Sequence, residues 1–178
     1  KAEQKVSILQ DVVSGLQDLH SEGLIHRDLK TENILVDNST GKALLIDLGL
    51  SAETKDKPNN FVGTPQYLSP EVLKGERQGP KSDTYSLGIM IHEIFTPDND
   101  ILHEPNQETN FTDGNSYFRK NGNIKVNAGQ YTGIPRGAQK KIAKLVESCL
   151  KCNPNKRPSD EDLMSQLNDI QRSLTNIS

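Results

Sequence analysis

Eight consecutive residues concentrate the chemistry of this chain: His26-Arg27-Asp28-Leu29-Lys30-Thr31-Glu32-Asn33. They bring two carboxylates, an amide and three basic side chains onto one short connection between apolar runs. A loop with that density of ionisable groups, held between strands, is a place for positioned chemistry rather than a solvated turn. Asp47-Leu48-Gly49 follows directly after another apolar run. Alone, an Asp-x-Gly is also ordinary turn chemistry.

The elements that must hold this loop are legible around it. Val6, Leu9, Val13, Leu16 and Leu19 recur at three- and four-residue steps. This spacing predicts an amphipathic helix from Lys1 to about His20, stopped by Ser21-Glu22-Gly23. The runs Leu24-Ile25, Ile34-Leu35-Val36 and Leu44-Leu45-Ile46 read as small strands or a hairpin, with Asp37-Asn38-Ser39-Thr40-Gly41 as a turn. Gly49 to Pro70 is polar and broken by Pro58, Gly63 and Pro65, so a loop is expected. Ser82 or Asp83 would cap a second apolar helix through Leu87, Ile91, Ile94 and Phe95, ended by Pro97. Asp98 to Pro135 is rich in Asn, Gly, Asp and Thr, with one short helix expected near Asn115 to Lys120. A helix over Arg136–Leu150 places Ile142, Leu145, Val146 and Cys149 on one face. Pro154 and Pro158 bracket a loop. A final helix runs from a Ser159 cap to about Leu174, with Leu163, Leu167 and Ile170 inward.

Composition narrows the function classes. The 178 residues suit one domain with a substantial core. A net charge of −3 lacks the basic excess of a nucleic-acid binder. No apolar run approaches the roughly 20 residues that span a bilayer, so no membrane partner is expected. Cys149 and Cys152 are too few for a disulfide framework and suit a reducing, cytoplasmic setting. As a lone Cys-x-x-Cys they are expected to be plain packing and surface residues. His20, His92 and His103 show no ligand spacing.

Taken in order, the motifs say more. His-Arg-Asp-Leu-Lys-x-x-Asn followed by Asp-x-Gly resembles the catalytic core of the eukaryotic-type serine/threonine protein kinase family. Gly63-Thr64-Pro65-Gln66-Tyr67-Leu68-Ser69-Pro70-Glu71 is similar to the segment that closes that family's activation loop. Ser82-Asp83-Thr84-Tyr85-Ser86-Leu87-Gly88 resembles the start of its central helix, and Asn153-Pro154-Asn155-Lys156-Arg157-Pro158 its late arginine loop. The resemblance covers the whole chain. It implies a mainly α fold, the C-terminal lobe of a protein kinase, with a small β-hairpin element at the cleft over residues 1–178.

The resemblance also implies roles. Asp28 would orient the attacking alcohol and accept its proton. Asn33 and Asp47 would hold Mg2+ against the phosphates of ATP, and Lys30 would balance the charge of the transferred phosphoryl group. Thr64 would bond both Asp28 and Lys30, and Leu35 would form the floor under the adenine. Lys30 and Thr64 point to Ser/Thr hydroxyls of a protein substrate. Asp83 would bond the catalytic-loop backbone, and Glu71 and Arg157 would form a buried ion pair. His26 and Leu48 resemble members of a stack between lobes. Glu32 and Glu93 match positions that hold a substrate arginine.

Some positions depart from the pattern. The family's Asp-Phe-Gly is Asp47-Leu48-Gly49 here, and Ser69 replaces an alanine. Asn60 stands at the main activating phosphosite although its usual partner, Arg27, is present, so Ser51, Thr54 or no phosphate would serve instead. The chain has no Gly-x-Gly-x-x-Gly before a strand and no strand lysine in a Val-Ala-x-Lys-like setting. The missing N-lobe is therefore an expected partner, and the chain is expected to be a piece of something longer, weak in ATP binding by itself. The competing reading is a non-catalytic, pseudokinase-like interaction module. Such modules often lose the catalytic or metal-binding residues, whereas Asp28, Lys30, Asn33 and Asp47 all stand here.

Overall fold

The apolar stripe of the first twenty residues becomes helix α1, Ala2–Ser21, which buries Val6, Leu9, Val12, Val13 and Leu16. A computed structural model describes residues 1–53, 62–96 and 124–175 of the chain. The expected phosphosite positions Thr54 and Asn60, the expected Asn115–Lys120 helix, Pro97 and His103 lie outside the described residues. Gly23, at φ +74°, turns the chain out of α1.

Strand β1, Leu24–Ile25, pairs antiparallel with β4, Ala52–Glu53. Strands β2, Ile34–Val36, and β3, Ala43–Leu45, form the expected hairpin, with Leu35 opposite Leu44. Asp37 builds its turn. Its carboxylate accepts from the Ser39 N–H at 2.8 Å, the Ser39 hydroxyl at 2.7 Å and the Thr40 hydroxyl at 2.9 Å. These bonds hold the Asp37 carboxyl down at about 2. Helix α1 lies against β3, and Asp11 Oδ2 accepts the Ala43 N–H at 2.9 Å.

The described residues after Gly49 are more ordered than their composition suggests. They contain β4, a 3-10 turn at Pro65–Tyr67 and the short helix α2, Pro70–Leu73. Pro70 occupies the first helical turn of α2, where its missing N–H costs nothing.

Helix α3, Pro80–Phe95, starts earlier than a Ser82 or Asp83 cap would allow. The reason is local: Gly79 is the capping residue and Pro80 is already set for helical φ. Ser82 contributes from inside the first turn, accepting the Gly79 N–H at 3.2 Å. Burial runs unbroken from Ser82 to His92, so α3 is enclosed on all sides. The polar residues in that run have partners, as burial demands: Ser86 donates to the Tyr67 carbonyl at 2.7 Å, and His92 Nδ1 lies 3.0 Å from the Tyr131 hydroxyl.

Helix α4, Arg136–Cys149, crosses α3 at Gly88. A Cβ there would stand 2.6 Å from Cys149 Cβ, so only glycine allows the approach. Cys149 is fully buried, and burial pushes its thiol up to about 12, which makes it a packing residue. Helix α5, Asp160–Thr175, packs on both α1 and α4. Its expected cap is present and reciprocal: Ser159 Oγ accepts the Asp162 N–H at 3.1 Å, and Asp162 Oδ2 accepts the Ser159 N–H at 3.2 Å. The expected core residues Ile142, Leu145, Val146, Leu163, Leu167 and Ile170 are all buried. The architecture is thus mainly α, with two small antiparallel sheets among the described residues. Among the described residues no helix is long and apolar enough to cross a membrane.

Candidate active site

Residues 26–33 connect β1 to β2 and are pinned from below by α3. Asp83, on its first turn, accepts the His26 N–H at 2.8 Å and the Arg27 N–H at 3.0 Å. Two loop amides that would otherwise be buried without partners are satisfied by one carboxylate. Arg27 sits at φ +71°, an uncommon conformation for a residue with a Cβ, and the bonds around it hold it there. Leu29 is fully buried in the helical core and fixes the loop from inside. His26 Nδ1 accepts the Asp28 N–H at 3.2 Å, so Nε2 carries the proton it donates to the Ile46 carbonyl at 3.0 Å.

The loop's other side collects the candidate groups. Thr64 donates its hydroxyl proton to Asp28 Oδ1 at 2.8 Å and accepts from Lys30 Nζ at 2.9 Å. Lys30 Nζ also lies 3.6 Å from Asp28 Oδ2. Asn33 Nδ2 donates to the Asp28 carbonyl at 2.7 Å and reaches its carboxylate at 3.3 Å. Thr64 can approach this closely because Gly63 precedes it: a Cβ on Gly63 would stand 2.6 Å from the Arg27 carbonyl oxygen, and φ there is +118°. Asp28, Lys30, Asn33 and Thr64 are therefore one hydrogen-bonded group; the Thr64 bonds to Asp28 and Lys30 are those the resemblance implies, and the Asn33 bonds to Asp28 are additional.

Asp47 follows a residue that is tied to this loop through the backbone. The preceding Ile46 donates its N–H to the Asn33 carbonyl at 2.8 Å and accepts from the His26 ring. Asp47 itself is exposed and left-handed, at φ +60°. Leu35 stands on β2 just beyond Asn33 with 59% of its surface exposed, and Leu48 is 52% exposed. Leu48 presents an open apolar surface here, while His26 is buried and hydrogen-bonded.

The remaining expectations sort by contact. Glu71 and Arg157 form the buried pair, two-pronged at 2.6 and 2.8 Å. Burial raises the Glu71 carboxyl, but the Arg157 guanidinium outweighs it and holds the carboxyl below its ordinary range. Glu93 accepts from the Tyr67 hydroxyl, so it has a local partner; Glu32 is exposed and accepts from the Thr31 hydroxyl. Burial, then the bond to Glu93, pushes the Tyr67 phenol above its usual range. His20 carries contacts that spacing could not reveal: Asp83 and Asp160, its ring partners, lie far away in sequence.

Chemically, the group offers a carboxylate aimed by two donors, a cation beside it, and oxygen donors at Asn33 and Asp47. The protein kinase domain family matches residues 1–167. The chain belongs to the protein kinase family. Similar proteins include the serine/threonine-protein kinase STE20 of Candida glabrata, 32% identical over 161 residues, covering 89% of this chain and 16% of the relative. STE20 of Saccharomyces cerevisiae is 32% identical over 161 residues with the same coverage. The serine/threonine-protein kinase pakA of Talaromyces marneffei is 33% identical over 164 residues, covering 90% of this chain and 24% of the relative. This kinase domain chain thus spans a quarter or less of the length of these relatives.

Proposed function

We propose that the chain is the larger lobe of a serine/threonine protein kinase, moving the γ-phosphate of ATP to Ser/Thr hydroxyls of a protein. The observation that carries this reading is the bonded group Lys30–Thr64–Asp28 with Asn33 beneath it. Asp28 faces the acceptor alcohol. The alcohol oxygen forms the new bond to the γ-phosphorus, the bridging P–O bond breaks to release ADP, and the hydroxyl proton passes to Asp28. Thr64 keeps one carboxylate oxygen of Asp28 engaged and so orients the other. Lys30 places positive charge beside the transferred group.

The donor set suits magnesium. Asn33 spends its amide N–H on Asp28, which leaves its carbonyl oxygen available, and Asp47 adds an exposed carboxylate; both are hard oxygen donors. Mg2+ bound there would neutralise phosphate charge. Phosphate oxygens and water would complete the coordination begun by these two protein ligands.

Leu35 and Leu48 supply one apolar wall of a nucleotide cleft. A glycine-rich loop and a strand lysine from a second lobe would supply the other, so the chain alone transfers phosphate slowly or not at all. The experiment is transfer from labelled ATP to a Ser/Thr-bearing protein, with that second lobe present, for wild type and Asp28→Asn. Loss of a positioned base lowers the rate about 10²–10⁴-fold. An unchanged rate in Asp28→Asn sinks the reading.

A further inference from the structure

The side chain of His20, at the end of α1, has both ring nitrogens on carboxylates. Nδ1 lies 2.7 Å from Asp160 Oδ2, and Nε2 lies 2.9 Å from Asp83 Oδ2. The imidazole is 7% exposed and Asp83 is 2% exposed. Ionised carboxylates only accept hydrogen bonds. A neutral imidazole has one N–H and would aim a lone pair at one of them. Only the doubly protonated ring satisfies both partners, and it also compensates a buried negative charge that would be costly alone.

The same Asp83 oxygen that meets His20 accepts the His26 N–H, and its neighbour accepts the Arg27 N–H. The contacts therefore run without a break from the first turn of α5, through α1, to the first turn of α3 and into the catalytic loop. The start of α5 is itself held firmly. Arg157, three residues earlier, is locked on Glu71, and Lys81 donates to the Arg157 carbonyl at 2.7 Å.

We propose that His20 is held as an imidazolium between Asp83 and Asp160, and that this bridge lets the start of α5 position the catalytic loop through Asp83. His20 and Asp160 are then positioning residues, and neither touches the reacting atoms. Their bearing on phosphoryl transfer rests on the function proposed above; the bridge itself does not. Burial lowers the basicity of the ring, but the bonds to Asp160 and Asp83 and their charges overcome this and raise it to about 9. The charged groups facing the ring are Asp83 from α3 and Asp160 from α5. The loop contributes backbone N–H groups through Asp83, and the His26 ring is turned to Ile46.

The test follows the imidazole nitrogens of the chain by NMR from about pH 6 to about pH 10, together with amide hydrogen exchange. Expected are a fully protonated His20 at neutral pH, loss of its proton near pH 9, and loss of protection at the His26 and Arg27 amides in step with it. Amides in the middle of α4 keep their protection, which separates a local release from general loosening. Asp160→Asn should move the His20 midpoint down by a unit or more and lower protection of the two loop amides about tenfold near neutral pH. Asp162→Ala, which breaks the cap on the same turn, should leave the midpoint in place. A His20 that titrates near 6.5 in the unaltered chain, or loop amides indifferent to its charge, overturns the proposal. The unaltered chain decides this even if a variant does not fold. Should phosphate transfer fail while the amides follow the ring, the functional reading falls and the bridge stands.

Discussion

Two polar clusters meet the first turns of α3 and are built differently. The Glu71–Arg157 pair is closed. Its guanidinium donates also to the carbonyls of Lys151 and Lys81, lies over the Tyr85 ring, and is fully buried. The Asp28–Thr64–Lys30 group is open. Lys30 is 24% exposed, Asp47 faces outward, and the backbone at Arg27 and Asp47 is strained into positive φ. A closed cluster spends its hydrogen-bonding capacity on the protein and stabilises it. An open one keeps acceptors and charge available for a ligand, and the surrounding structure holds the strain.

That contrast can be broken at either cluster. The largest loss of stability is expected from Arg157→Met, which strands the buried Glu71 carboxylate and should cost about 3–5 kcal/mol in chemical denaturation. Asp28→Asn should cost no more than about 1 kcal/mol of stability and, on the function proposed above, abolish most transfer with the second lobe present. If both substitutions destabilise equally, the distinction between closed and open clusters is wrong.

Alkaline pH probes the ground between them. The His20 ring is raised from 6.5 to about 9, so its contribution is complete below about pH 6.5 and is lost as pH rises through 9. Stability measured across that window should fall by roughly 3 kcal/mol. Acid acts oppositely on Glu71, whose depressed carboxyl contributes stability above its ordinary range and loses it as pH falls. Smaller again is Gly88→Ala, where a methyl meets Cys149 and Leu150 and should cost about 1–3 kcal/mol in thermal unfolding. Leu35→Ala should change stability within about 0.5 kcal/mol, since the side chain is mostly exposed, yet weaken nucleotide binding measured with the second lobe present.

Much of the site could be read directly because its members lie close in sequence or in ordered motifs. Asp28, Lys30 and Asn33 share one loop, and turn chemistry at Asp37–Gly41 fixes the hairpin beside it. The helices were equally plain where one face is apolar, as in α1, α4 and α5. Reading faltered where tertiary contacts replace local signals. Helix α3 is enclosed on all sides, so its polar residues gave no stripe, and its start was set by Gly79-Pro80 rather than by Ser82 or Asp83. Strand β4 is two residues long and exists through pairing with β1.

Residue types and spacing alone showed that residues 26–33 gather ionisable groups on one short loop and which helix faces are apolar, because both depend on neighbours within a turn or a loop. The folded chain alone decided that His20 joins Asp83 to Asp160, that Gly63 seats Thr64 on Asp28, and that Gly88 lets α4 approach α3. Those contacts join residues tens of positions apart or more. They form only when packing closes the intervening chain, and no local periodicity encodes that closure.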